Sequence, residues 1–356
     1  MLAKAKRDPP EPLHGSPETL VGIGELTESQ MRRREFMAGA CATALVSGCA
    51  PPYATDAAER AFPPIGDFVE VEGLRIHAWQ SGPRSGTPVV LVHGASGNLR
   101  DWTFSIAPEI AQTHRVIAFD RPGFGYSDRP QTDDAADPSV QAAILRAASQ
   151  KLGAERPVVV GHSWGGALAM AWAMDAPAET TGIASVSGVT MPYTGVARVF
   201  EALGMSGAVA WLYTEYMKSV AEDGGIERFI DRVFRPQQPP EGYLDYVGAP
   251  LALRKATLAA NADDIAALNA ALRRMAPGYG DLAMPVEVIH GQEDFIDPER
   301  QSIALSKALP RARLTLLDDV GHMAHHAAPG TLIEAIARIE AASRTDGTLD
   351  ADARRA

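Results

Sequence analysis

The sequence is poor in cysteine, in aromatic residues and in positive charge, and each shortage excludes a class of protein. Two cysteines, Cys41 and Cys49, in 356 residues cannot build the disulfide framework of a small secreted domain or a four-cysteine zinc site. Aromatic residues make up 6% of the chain, and 33 Lys and Arg face 44 Asp and Glu, a formal charge of −11. That balance offers no basic face for phosphates, so nucleic acid is not expected as a partner. No uninterrupted run reaches the ~18 apolar residues a membrane-spanning helix needs. What the chain does hold is 46% hydrophobic residues, at a length that buries a full core as one large domain or one domain plus an insertion.

The N-terminal region reads as an address. Met31 to Ala50, MRRREFMAGACATALVSGCA, opens with Arg32, Arg33 and Arg34, continues with an apolar stretch and ends in small residues. That stretch, Phe36 to Gly48, has the length of a signal-peptide core and is too short to span a bilayer. Arg33 to Met37 resembles the twin-arginine export signal, and Val46-Ser47-Gly48-Cys49 resembles a bacterial lipobox. The resemblance implies an exported, periplasmic lipoprotein anchored through a lipid on Cys49. Residues 1–48 are then an export segment whose true start is Met31, and residues 49–66 a tether. Cleavage removes six basic and six acidic residues, so the net charge persists, and Cys49 is left without an intrachain disulfide partner.

From Asp67 onward, short apolar runs alternate with helical patterns, and no internal repeat is present. FVEVEG and LRIHAWQSG read as an antiparallel hairpin turning near Gly73. PVVLVHG, HRVIAFD, PVVVVGHS, TGIASVSGV (Thr181 to Val189), PVEVIHG and ARLTLLDD follow, most of them continuously apolar, as in strands buried on both faces of a parallel sheet. Helical patterns between them cover Leu99 to Ala111, Val140 to Leu152, Trp164 to Ala176, Pro298 to Ala308 and Gly330 to Ala342. The fold class is α/β, with a mostly parallel central sheet of about eight strands flanked by helices. Residues 191–284 break the rhythm with helical pattern alone, including VARVFEALGMSGAVAWLYTEYMKSV. This block reads as a helical cap inserted between core segments 67–190 and 285–342, over the strand carboxyl ends, where such sheets bind ligands. Extra packing on a sheet face is the alternative. Residues 343–356 read as a flexible tail.

The chemistry centres on GHSWGG, Gly161 to Gly166. A Gly-x-Ser-x-Gly pattern arises by chance in roughly one chain in seven of this composition, so context must carry the reading. Here the serine lies between a buried strand and a helix whose first turn holds Gly165 and Gly166. So sharp a turn strains Ser163 and needs flanking glycines, because a Cβ would clash. It also lifts the hydroxyl above the sheet, toward the N-terminal amides of the following helix. This arrangement resembles the nucleophile elbow of the α/β-hydrolase fold family, and the resemblance extends from Asp67 to Ala342.

The resemblance implies the partners a serine nucleophile needs. The base is the histidine after the last strand, His322 in DDVGHMAHHAAPG, with His325 and His326 as rivals that would start the next helix. The acid follows the preceding strand in HGQEDFIDPE, where Asp294 holds the matching position; Asp297 is the runner-up, its neighbour Pro298 suggesting a helix cap, and Glu293 would point away. The order Ser163, Asp294, His322 is that of the fold. His93-Gly94 resembles the family's oxyanion loop, which assigns the backbone amides of Ala95 and Trp164 to the oxyanion. His93 itself reads as a turn histidine, and DRPGFGYSD, Asp120 to Asp128, as a structural loop. Trp102, Trp211, Tyr213 and Met217, with Trp164, suggest a largely apolar acyl pocket, or plain core.

Serine at this position, rather than the aspartate of relatives that open epoxides or displace halide, points to acyl transfer. The leading expectation is hydrolysis of a carboxylic ester of a small molecule through an acyl-enzyme. The same residues acting on a lactone, an amide, a C–C bond beside a ketone or in peracid formation is the second reading; a non-catalytic binding lipoprotein is the third. No cofactor is required. No metal is expected, because the histidines lack ligand spacing with acidic or cysteine partners.

Overall fold

A computed structural model describes residues 55–193, 206–222 and 224–353. Eight strands form one sheet: β1 Asp67–Val71, β2 Leu74–Ser81, β3 Pro88–Val92, β4 Arg115–Phe119, β5 Val158–His162, β6 Gly182–Val186, β7 Val286–Gly291 and β8 Ala312–Leu317. Their spatial order is β1-β2-β4-β3-β5-β6-β7-β8. β2 runs antiparallel to both β1 and β4, and every other pairing is parallel. The hairpin turns at Glu72 and Gly73, both at positive φ (50° and 82°), the combination that suits a two-residue turn to the twist of the strands. β4, β5, β6 and β7 are buried at every residue, which explains their largely apolar sequences, although Arg115, His162, Glu287 and His290 are buried among them.

Helices cover both faces. On one face lie α1 (Pro138–Lys151) and α2 (Trp164–Asp175). α1 starts where the Asp137 side chain accepts from Ser139 N at 2.9 Å, with Pro138 at its first position. α2, WGGALAMAWAMD, is apolar all round from Trp164 to Ala173, and those residues are buried in the core against Val159, Ile183 and Tyr279. The inserted segment supplies α3 (Ser206–Val220), α4 (Gly225–Phe234) and α5 (Lys255–Met275), with short turns of helix at Tyr243–Val247 and Ala249–Ala252. The other face is closed by α6 (Pro329–Ala353), whose Leu332, Ala335, Ile336 and Ile339 pack on Val158, Val160 and Ala184.

Four local expectations give way. The helix read over Leu99 to Ala111 is two short pieces, Arg100–Thr103 and Ile106–Ile110, because Ser105 leaves the helical region (φ −147°). The strand read to Val189 stops at Val186, where Ser187 takes φ 46°. The tether read through residue 66 is docked from Thr55: Thr55–Ala61 is helical, Glu59 pairs with Arg254 at 2.7 Å, and the Tyr126 hydroxyl donates to Phe62 O at 2.5 Å. The tail read from 343 continues α6 to Ala353. The export segment, Cys49, and residues 194–205 and 223 of the expected cap lie outside the described residues. Among the described residues no helix is long and apolar enough to cross a membrane.

Candidate active site

Ser163 sits between β5 and α2 at φ 53°, ψ −118°, a conformation L-residues rarely hold. Its neighbours enforce it. Ser163 N donates to Val186 O at 3.0 Å, and Ser163 O accepts from Gly166 N and Val189 N at 2.9 Å each. The flanking glycines are steric necessities: a Cβ on Gly161 would stand 2.1 Å from Gly165 O, and one on Gly165 2.5 Å from Val92 O. Trp164 is the first residue of α2, where backbone N–H groups have no intrahelical acceptor.

The loops after β7 and β8 meet beside this turn. His322 Nδ1 lies 2.9 and 3.0 Å from the two carboxylate oxygens of Asp294. Donation from Nδ1 leaves the lone pair of the neutral imidazole on Nε2. The carboxylate, fully buried, also accepts from Ile296 N at 2.8 Å and contacts His290 Nε2 at 3.0 Å. Burial alone would raise the Asp294 pKa, but the His322 and His290 imidazoles hold it well below the ordinary carboxylate value. His162, the residue before the serine, donates from Nε2 to His322 O at 3.1 Å and so ties the elbow to the histidine loop. Gly291, at the end of β7, can only be glycine because a Cβ would meet Val320 O at 2.1 Å.

The third loop, His93 to Leu99, closes against the serine: a Cβ on Gly94 would approach Ser163 Cβ to 2.9 Å. His93 is a turn histidine in its contacts. Its Nδ1 donates to Gly94 O at 2.8 Å and its Nε2 accepts from Arg121 N at 3.0 Å, while burial pulls its pKa down to about 4. The 120–128 loop is structural in its bonding. Asp120 accepts from Leu99 N at 2.7 Å, His77 Nδ1 at 2.7 Å and Tyr126 N at 2.8 Å.

Arg121, from the same loop, has a role the sequence does not reveal. Its fully buried guanidinium lies 4.0 Å from the ring centroids of both Phe124 and Trp164 and pairs with Asp264 of α5 at 2.7 Å. Trp164 Nε1 donates to Asp264 O at 3.3 Å. The inserted segment is thereby pinned to the residue after the serine.

The rival residues are occupied elsewhere. Asp297 accepts from Glu299 N at 3.0 Å, as a helix cap does, and Glu293 is exposed. His325 and His326 turn to Asp101, at 3.1 and 2.8 Å, and Tyr243 donates to the same carboxylate at 2.9 Å. Burial opposes charge on Asp101, but the adjoining imidazoles hold its pKa well below the ordinary value; burial lowers His325 to about 4. Ligand atoms of Asp101, His162 and His325 come within 4.8 Å of one another. Spacing along the chain therefore does not exclude a metal site, as the sequence reading supposed, because folding gathers residues 224 positions apart. As folded, both Asp101 oxygens are already engaged by donors.

The expected pocket residues separate. Trp102 is buried behind the site, its ring 4.6 Å from that of His325, and so belongs to the core. Trp211 is more than half exposed on α3. Met217 packs with Val220, Leu253 and Leu258. Tyr213 points its hydroxyl at Ser96 and Asn261, giving a polar contact where an apolar wall was expected.

Fold order, strained serine and converging loops define a class. The α/β-hydrolase fold family profile matches residues 87–329, and the chain belongs to that family. It is 28% identical to the 2-hydroxymuconate semialdehyde hydrolase of Pseudomonas sp. (strain CF600) over 272 residues, 73% of this chain and 88% of that one. Among solved structures it is similar in fold to the enol-lactonase of Burkholderia xenovorans LB400 (TM-score 0.59, 19% identity, 77% and 99% of the two chains). It is likewise similar to an esterase of Exiguobacterium antarcticum (TM-score 0.60, 18% identity, 78% and 100%).

Proposed function

We propose that this hydrolase cleaves a carboxylic ester of a small molecule through an acyl-enzyme. Ser163 Oγ attacks the scissile carbonyl carbon while His322 Nε2 takes its proton. Asp294 fixes the imidazole and stabilises its positive charge, and the amides of Ala95 and Trp164 bind the oxyanion. The protonated imidazole then gives its proton to the leaving alcohol. Water, deprotonated by the same imidazole, releases the acid. The observation that carries this reading is the approach of His322 Nδ1 to both oxygens of a buried, ionised Asp294, beside the strained serine. A second reading keeps these roles and changes the bond to a lactone or a C–C bond beside a ketone; its support is a relative named a 2-hydroxymuconate semialdehyde hydrolase and a neighbour in fold named an enol-lactonase. Residues 191–284 serve as the cap over this site, and residues 1–48 as an export segment that delivers a lipoprotein anchored through Cys49.

Stopped-flow hydrolysis of p-nitrophenyl butyrate tests the acyl-enzyme. A burst equal to the enzyme concentration is expected where deacylation is slow, together with stoichiometric labelling by a serine-directed phosphonate. Both should vanish in Ser163→Ala. Labelling without ester turnover favours the second reading, and no labelling refutes both.

A further inference from the structure

Beside the amide assigned to the oxyanion is a group of three polar side chains that the acyl-transfer steps do not use. Ser96, one residue beyond Ala95, stands at φ 57°, and its side chain meets Tyr213 of α3 and Asn261 of α5. Asn261 is fully buried and its amide makes three hydrogen bonds within the group. Its Oδ1 accepts from Ser96 N at 3.2 Å, and its Nδ2 donates to Ser96 Oγ at 2.8 Å and to the Tyr213 hydroxyl. Those bonds also fix which end of the amide is oxygen.

Hydrogen counting then gives a definite result. Ser96 and Tyr213 carry one hydroxyl hydrogen each. The two oxygens share a single hydrogen bond, which uses one of those hydrogens. Asn261 Oδ1 accepts only from Ser96 N and neither hydroxyl bonds to it, so the second hydrogen has no acceptor within the group. The phenol is the more acidic of the two hydroxyls, which favours Tyr213 as donor to Ser96 and leaves the Ser96 O–H free. Burial holds the Tyr213 pKa far above its ordinary value, so the phenol keeps its proton. Ser96 is itself only half-buried, on the loop whose Gly94 packs against Ser163.

We infer that Ser96, held by Tyr213 and Asn261, is a recognition site for a second oxygen on the acyl group of the substrate. The inference rests on the acyl-transfer reading. Adjacent residues are ~3.8 Å apart at Cα, so a donor one residue from the Ala95 amide reaches an oxygen one or two carbons from the scissile carbonyl. The substrate class is therefore a 2-oxo or 3-oxo acyl compound. A site built around a free donor disfavours the analogue without the acceptor, because the donor is then left unpaired. Two of the three residues come from the inserted segment, so that segment shapes acyl selectivity directly.

The test compares kcat/KM for ethyl 2-oxobutanoate and ethyl 3-oxobutanoate with that for ethyl butanoate, by pH-stat titration. It uses the wild type, Ser96→Ala and Tyr213→Phe. Oxo esters are intrinsically more reactive, so the quantity read is the ratio of oxo to plain ester in each variant against the wild type. That ratio for at least one oxo ester is expected to fall about tenfold in Ser96→Ala, and by less, but measurably, in Tyr213→Phe. An equal loss on all esters, or unchanged ratios, overturns the proposal and leaves the hydrolase reading intact. A wild type that hydrolyses none of them, and takes no phosphonate at Ser163, overturns both.

Discussion

Asp264→Ala tests how the inserted segment is coupled to the site. The Asp264 carboxylate is fully buried, with Arg121 Nη1 at 2.7 Å, Arg129 Nη2 at 2.9 Å and Gln141 Nε2 at 3.1 Å. Burial pushes the Asp264 pKa up and pulls the Arg121 pKa down to about 10, each against the attraction of the other. Truncation leaves the Arg121 guanidinium buried with Gln141, a long bond to Gly94 O and two aromatic faces as its remaining partners. Breaking one side of such a pair costs about 3–5 kcal/mol, because the surviving charge is uncompensated. At roughly 2–3 °C per kcal/mol for a domain of this size, the melting temperature should drop by about 6–15 °C. Circular dichroism on heating and urea titration read it. The double variant Arg121→Met/Asp264→Leu removes both charges and should recover most of the loss. A drop smaller than ~1 kcal/mol, or a double variant as unstable as the sum of the singles, refutes the argument.

The remaining predictions concern the acid, the acid limb of stability and the anchor. Asp294→Asn should lower kcat by orders of magnitude by spoiling the His322 tautomer, while Asp297→Asn leaves kcat within about twofold; the reverse ranking in steady-state assays moves the acid to Asp297. His93, beside Arg121 and Asp120, and His325, beside Asp101, His326 and His162, are pulled to about 4 from an ordinary 6.5 by burial. The unfolded chain therefore binds more protons between those values. Stability from each is present above pH 6.5 and is lost as the pH falls toward 4, by about 3 kcal/mol per residue when complete. Urea midpoints that stay level from pH 7 to 5 would contradict this. In a bacterial host, palmitate should label the wild type and leave Cys49→Ser unlabelled; label on both rules out that anchor.

The sheet was legible because strands buried on both faces are mostly apolar, as β3, β5 and β6 are, while β4 and β7 keep a recognisable apolar pattern around Arg115, Glu287 and His290. The elbow was legible because its pattern of glycines around one serine is local in sequence, although only the Gly161 clash, with Gly165 O, is local in contact. Side-chain partnerships across the chain were not. Arg121 meets Asp264 143 residues away, and His325 meets Asp101 224 away. Both partnerships join segments whose approach is set by the finished fold. The same limit left Trp102 open between pocket and core, where it proves to be core, and misjudged the helix from Leu99, which breaks at Ser105. Tyr213 was singled out for its ring, whereas its hydroxyl makes the informative contact.

The docking of the chain from Thr55 onward constrains how the enzyme would sit in the cell envelope. If lipid is carried on Cys49, five residues separate it from a helix already fastened through Glu59 to Arg254 and through Phe62 to Tyr126. Fully extended, that leash reaches about 20 Å. The body could not swing freely in the periplasm. It would stay close to the bilayer with the end at Thr55 nearest the headgroups, and substrates partitioned into the lipid surface would be the ones it meets first.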